Sequence, residues 1–70
     1  MNLERISIDP TVMNGQPCVH GTRLTVKRVL HLLSEYKDRE EIKMDYPRLD
    51  DEDIRQALLY AAARIDEDHH

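Results

Sequence analysis

Tryptophan and phenylalanine are absent from this chain, and cysteine occurs once. Any core must therefore be aliphatic, built from Leu, Ile, Val and Ala with help from three Tyr. A lone thiol, Cys18, closes no disulfide within the chain and excludes a cysteine-rich zinc staple. Two glycines are too few for a phosphate-cradling loop. Charges interrupt every apolar stretch, so no segment is expected to cross a membrane. Glu4, Arg5 and Asp9 stand where a secretory leader would be apolar. With a free thiol, that pattern predicts a cytoplasmic protein.

What remains is 70 residues, 40% apolar and 34% charged, with a net charge of −4. This is the length of a single domain, residues 1–70. A domain of this size hides only about 60% of the surface of its unfolded chain. Without disulfide or metal, a partner chain is the expected support, and a homodimer is predicted. The charge is unevenly spread: −1 over residues 1–9, +3 over 10–34 and −6 over 35–70. An acidic protein binds nucleic acid poorly unless its few cations are grouped. Arg23, Lys27 and Arg28, with His20 and His31 nearby, form such a group along the chain. For any one of these charges, a solvated helix face is the plainer reading.

The pattern predicts a mainly α fold: a short β-hairpin arm with its loop (1–24), then a three-helix body (25–66). Ile6-Ser7-Ile8 alternates as a half-buried strand. Asn14-Gly15 signals a turn, because both residues tolerate positive φ. Pro17 to His20 reads as the return strand, and Gly21 to Leu24 as a loop whose glycine takes an angle other residues reach only with strain. Thr25 is the expected N-cap of a helix over about 26–36, with Val26, Val29, Leu30 and Leu33 on its buried stripe and Leu32 at the margin. Asp38, with Glu41 three residues on, opens a short helix over about 39–45 that Pro47 stops. Asp50 caps a third helix over about 51–65, and Asp51, Glu52 and Asp53 favour its dipole. Its buried stripe is expected to be Ile54, Ala57, Leu58, Ala61 and Ile65. Leu59 and Ala63 then point outward and, with Tyr60, make the predicted dimer or partner interface.

Little in the sequence promises catalysis. Cys18 and His20 are two apart, on one side of a strand, but nothing is placed to orient the histidine. Chains this small have little room for a substrate cleft. No metal-ligand spacing occurs, and His69 and His70 could be native or tag-derived. No cofactor and no small-molecule substrate are expected. A helix, a short turn and a last helix is instead the layout of a helix-turn-helix DNA reader. Arg48, Arg55 and Gln56 are candidates to reach phosphates or bases, joined by Arg23, Lys27 and Arg28. The four acids opening the third helix oppose that docking, so any DNA contact is predicted with the acidic start turned outward.

Six stretches carry a family resemblance: Gly15-x-Pro17, Gly21-Thr22-Arg23-Leu24-x-Val26, Glu40-Glu41-Ile42, Asp45-Tyr46-Pro47-x-Leu49, Asp53-Ile54-Arg55-x-Ala57-Leu58 and Tyr60-Ala61-Ala62. Over about residues 6–63 the chain resembles the bacterial "domain of unknown function 433" family. The resemblance implies a hairpin arm on a three-helix, helix-turn-helix-like body of winged-helix or homeodomain character. It implies an antitoxin-like role similar to the VapB type, beside a PIN-like ribonuclease toxin, with operator double-stranded DNA as a further partner. It carries no catalytic residues. Thr25 stands where many members have proline, and Lys43 where they often have an apolar residue. The alternative is a protein-interaction or dimerisation module without DNA contact.

Overall fold

The computed structural model describes residues 2–68, so His69 and His70 lie outside the described residues. Two short strands, β1 (Ile6–Ser7) and β2 (Cys18–Val19), precede three helices, α1 (Val26–Glu35), α2 (Arg39–Asp45) and α3 (Asp51–Asp68). The strands pair antiparallel, Ile6 opposite Val19 and Ser7 opposite Cys18. Both are shorter than the alternation promised, because Ile8 and His20 have already left the pleat for solvent. The connection turns at Met13, Asn14 and Gly15, all at positive φ (48°, 59° and 80°). The Asn-Gly signal is met, and Met13 joins it at a position L-residues seldom occupy.

Each helix begins at its predicted cap. Thr25 accepts from the Arg28 N–H, and Asp38 accepts from the Glu41 N–H while Glu41 reaches back to the Lys37 N–H. At α3 the exchange is between two aspartates: Asp50 Oδ1 accepts from the Asp53 N–H at 2.9 Å, and Asp53 Oδ2 from the Asp50 N–H at 3.0 Å. This is a capping box with Asp where Glu is usual, closing two orphan donors at once. The Tyr46 N–H still bonds Ile42 before Pro47 ends α2.

The core is aliphatic: Val19, Val26, Val29, Leu32, Ile42, Leu49, Ile54 and Ala57, with Cys18 beside it. Two predicted stripes are rotated. On α1, Leu32 is fully buried, and Leu30 and Leu33 are only half-buried. On α3, Asp53 and Gln56 are inside, whereas Leu58 and Ile65 are exposed. The cause is tertiary. β1 packs along α3, and the Arg5 N–H donates to Gln56 Oε1 at 2.8 Å. The arm thus covers the Asp53–Gln56–Tyr60 side of α3 and leaves the Leu58–Ile65 side bare.

That docking engages part of the acidic helix start. The buried Asp53 and the exposed Asp50 both meet Arg5, whose Nη1 lies 2.9 Å from an oxygen of each. The hydrogen bonds and opposed charges raise the Arg5 pKa above its ordinary value. The Asp53 N–H, then Arg5, hold Asp50 below the usual carboxylate range. Asp51 pairs with Lys43 at 2.9 Å. Glu52 pairs with Arg55 at 2.8 Å.

Candidate functional site

The first motif, Gly21-Thr22-Arg23, forms the tip of a tight return from β2 into α1. The Val19 N–H bonds Leu24 O at 2.9 Å, and the Val26 N–H bonds Pro17 O at 2.9 Å. Between them the chain reverses through Gly21 at φ +77°, in the left-handed region glycine enters without strain. The Thr22 hydroxyl donates to Val19 O at 2.8 Å and accepts from the Leu24 N–H at 3.0 Å. Gly21 and Thr22 are thus occupied in shaping the turn. Arg23 is left exposed, with only Met13 Sδ, 4.0 Å away, as a side-chain partner.

Asp45-Tyr46-Pro47, the second motif, closes α2. Asp45 accepts a 2.6 Å hydrogen bond from the Tyr36 hydroxyl, and that bond pushes the Tyr36 phenol up to about 12. Tyr46 caps the helix and then accepts from the Leu49 N–H at 3.0 Å. Its hydroxyl lies 3.5 Å from Arg28 Nη2, which raises the Arg28 pKa above its ordinary value.

The two motifs are more than twenty residues apart in sequence and meet in space. A groove of about 640 Å³ has Gly21, Thr22 and Arg23 on one wall and Asp45, Tyr46, Pro47 and Arg48 on the other. Val19, Leu24 and Leu49 supply its apolar floor. Arg28, tied to the Tyr46 wall, continues this surface to Lys27 and His31, which line a small adjoining depression. The structure therefore brings together four of the residues the sequence nominated: Arg23, Lys27, Arg28 and Arg48.

The other two stand elsewhere. Gln56 is 2% exposed. Its oxygen accepts from the Arg5 N–H, and its amide nitrogen donates to Glu52 at 2.7 Å. It is a strut between arm and helix, and the expectation that it reads DNA is corrected. Arg55, paired with Glu52, lies across the molecule in a depression between α2 and α3. Of the predicted interface residues, Leu59, Tyr60 and Ala63 are half-buried, Tyr60 packs on the core, and Leu59 lines the same depression as Arg55. Two contributors escaped sequence reasoning. Tyr46 was legible only as a turn residue, and Arg5, whose partners lie 45 and 48 positions away, carries no local signal.

Charge follows the same division. Among the described residues, Arg5, Arg39, Lys43, Arg55 and Arg64 each have a carboxylate within 4.0 Å. Among the described residues no such pair includes Arg23, Lys27, Arg28 or Arg48, nor Lys37 at the exposed end of α1. Cys18 and His20 both border a second depression, but Cys18 Sγ donates to Gln16 O at 3.4 Å, and burial pushes the thiol pKa up. That holds Cys18 in its unreactive protonated form.

A family model described as "Protein of unknown function (DUF433)" matches residues 6–61. Among solved structures, the crystal structure of a DUF433 member protein from Anabaena variabilis aligns with a TM-score of 0.79 at 27% identity. The alignment covers 90% of this chain and 62% of that one, so the chain spans less than two thirds of its neighbour's length. No curated protein matches.

Proposed function

This chain belongs to the DUF433 family, proteins of unknown function, and from that premise we propose that it is an antitoxin-type regulator without catalytic activity, which engages operator DNA through the motif groove and α1. The observation that carries this reading is the sorting of its cations. In the acidic part of the molecule every acid at the start of α3 has a cationic or amide partner. Around the groove, Arg23, Lys27, Arg28 and Arg48 have no carboxylate partner and share one surface. Unpaired cations grouped on an acidic protein keep their full Coulombic reach for a polyanion, and phosphate is the anion they meet on duplex DNA.

The geometry of docking then differs from a helix-turn-helix reader. The N-terminus of α3 displays Asp51 and Glu52, which repel phosphate, so α3 does not lead into the major groove. Phosphate contacts fall to the Gly-Thr-Arg tip, the first turns of α1 and Arg48. Four contacts give a slope of log affinity on log salt of roughly −3.6. A mobility-shift titration against the DNA upstream of the gene tests this directly. Each Ala substitution at Arg23, Lys27, Arg28 or Arg48 should lower the slope by about 1 and leave folding intact. Binding that is absent, or indifferent to salt, would refute it.

A second reading, a protein-docking module that never meets DNA, is favoured by the apolar groove floor of Val19, Leu24 and Leu49. The first reading includes a PIN-like ribonuclease toxin encoded alongside as its protein partner, whereas the second names none. Coexpression with the product of the adjoining reading frame distinguishes the two: a complex that survives high salt, with no shift of DNA, belongs to the second reading alone.

A further inference from the structure

Rotation of α3 under the arm leaves one strip of that helix without a cover. Leu58 is 39% exposed and Ile65 58% exposed, and Ala62 between them is exposed too. Spacings of four and three residues keep all three on one side of the helix. Beside them runs a shallow groove of about 580 Å³, with Leu58, Leu59 and Ala62 as its floor and Arg39, Asp51, Glu52 and Arg55 along its rim.

We propose that a second copy of this chain covers this strip, with the two α3 helices packed antiparallel about a two-fold axis near Ala62. The strip is self-complementary in shape. Large, small, large reads the same in both directions, so an axis near Ala62 sets Leu58 of one copy beside Ile65 of the other. Ile65 of each copy then enters the groove floored by Leu58, Leu59 and Ala62 of its partner. The small Ala62 side chain lets the helices approach closely where they cross.

The charges fix the direction. A parallel pair would bring the two Asp51–Glu52 starts together, and likewise the two exposed Asp66–Glu67 ends. The antiparallel pair separates the starts and turns Asp66 and Glu67 of one copy towards Arg55 and Arg39 on the partner's groove rim. An isologous contact of this kind closes at two subunits. Its area is small beside the roughly 1,200 Å² of stable complexes, so the dimer forms and dissociates in the micromolar range. It uses none of the residues around the motif groove and stands whether or not DNA is bound there.

Sedimentation equilibrium across the micromolar range tests it. The parent chain should pass from monomer to dimer as concentration rises, with no larger species. Leu58→Asp and Ile65→Asp should each stay monomeric throughout, with helix content kept and a thermal midpoint that, unlike the parent's, does not rise with concentration. Ala62→Cys, near the axis, should form a disulfide dimer under mild oxidation, and Ser34→Cys on exposed α1 should not. A parent chain that remains monomeric overturns the proposal. So does a folded Ile65→Asp chain that still dimerises, or an Ala62→Cys chain that crosslinks no faster than Ser34→Cys.

Discussion

Replacing Asp53 by alanine probes the joint between the arm and the last helix. The side chain is 7% exposed and serves two partners. One oxygen caps the Asp50 N–H at 3.0 Å, and the other takes Arg5 Nη1 at 2.9 Å. Losing a helix cap costs about 1 kcal/mol. Losing a charge-assisted hydrogen bond costs roughly 1.5–3 kcal/mol, and the lower end applies here because Arg5 is 37% exposed and keeps Asp50 as an alternative. No cation is orphaned in the interior, so the larger penalty for a broken buried pair does not arise. The expected loss is about 2–3 kcal/mol, a large share of the roughly 4–10 kcal/mol that a domain of this length possesses. With a urea slope of about 1 kcal/mol per molar, the unfolding midpoint followed by far-ultraviolet circular dichroism should fall by about 2 M. Asp53→Asn retains an acceptor for the Asp50 N–H but sets an amide NH2 against Arg5 Nη1, so it keeps the cap, loses the charge-assisted bond and should cost about 1.5 kcal/mol. Arg5→Ala strips the buried Asp53 of its cation and leaves it only the Asp50 N–H, so it should cost at least as much as Asp53→Asn. An Asp53→Ala midpoint indistinguishable from the parent, or an Asp53→Asn loss as large as that of alanine, would refute the joint.

Three further outcomes follow from single contacts. A spectrophotometric titration of the three tyrosines should show one late step near 12, missing in Tyr36→Phe. The Tyr36–Asp45 bond stabilises the protonated phenol, so its contribution is complete below the ordinary value of 10.0 and disappears as pH rises through the folded value. Asp50 runs the other way. Its carboxyl is held below its ordinary 3.8, so its contribution is complete above that pH and is lost as pH falls through the lower folded value. Acid unfolding below about pH 4 should therefore flatten in Arg5→Ala. Thr25→Ala should lower stability by about 1 kcal/mol through the lost cap, whereas Thr25→Pro should fold at least as stably as Thr25→Ala. The reason is that Thr25 sits at φ −73°, close to proline's own angle, and its N–H is not one of the two rungs that flank the Cys18–Thr25 bridge. A Thr25→Pro chain that melts well below Thr25→Ala in a thermal scan would contradict that geometry.

Thr25 and Lys43 each have a definite local partner. The Lys43 ammonium meets Asp51 at the start of α3, so an electrostatic tie links α2 and α3 at that position. The family motifs likewise resolve into unequal parts. Gly21 and Thr22 shape a turn and Tyr46 a helix end, and they leave Arg23 and Arg48 lining the groove, with Arg28 beside its Tyr46 wall.

The sequence alone determined what depends on neighbours a few positions away. Thr25, Asp38 and Asp50 mark helix starts because a cap needs only its own next turn, and Asn14-Gly15 marks a reversal because positive φ is a property of single residues. The existence of α1, α2 and α3, and the hairpin before them, followed from such signals. Tertiary structure decided which way those helices face. A periodic stripe gives the width of an apolar face, but its orientation is set by whatever packs against it. For α3 that was β1, held by Arg5 through contacts spanning 45 to 51 positions. That one docking drew Gln56 and Asp53 inside and turned Leu58 and Ile65 outward. The meeting of Gly21-Thr22-Arg23 with Asp45-Tyr46-Pro47 was hidden for the same reason: side chains distant along the chain become neighbours only when the elements carrying them bury a common core.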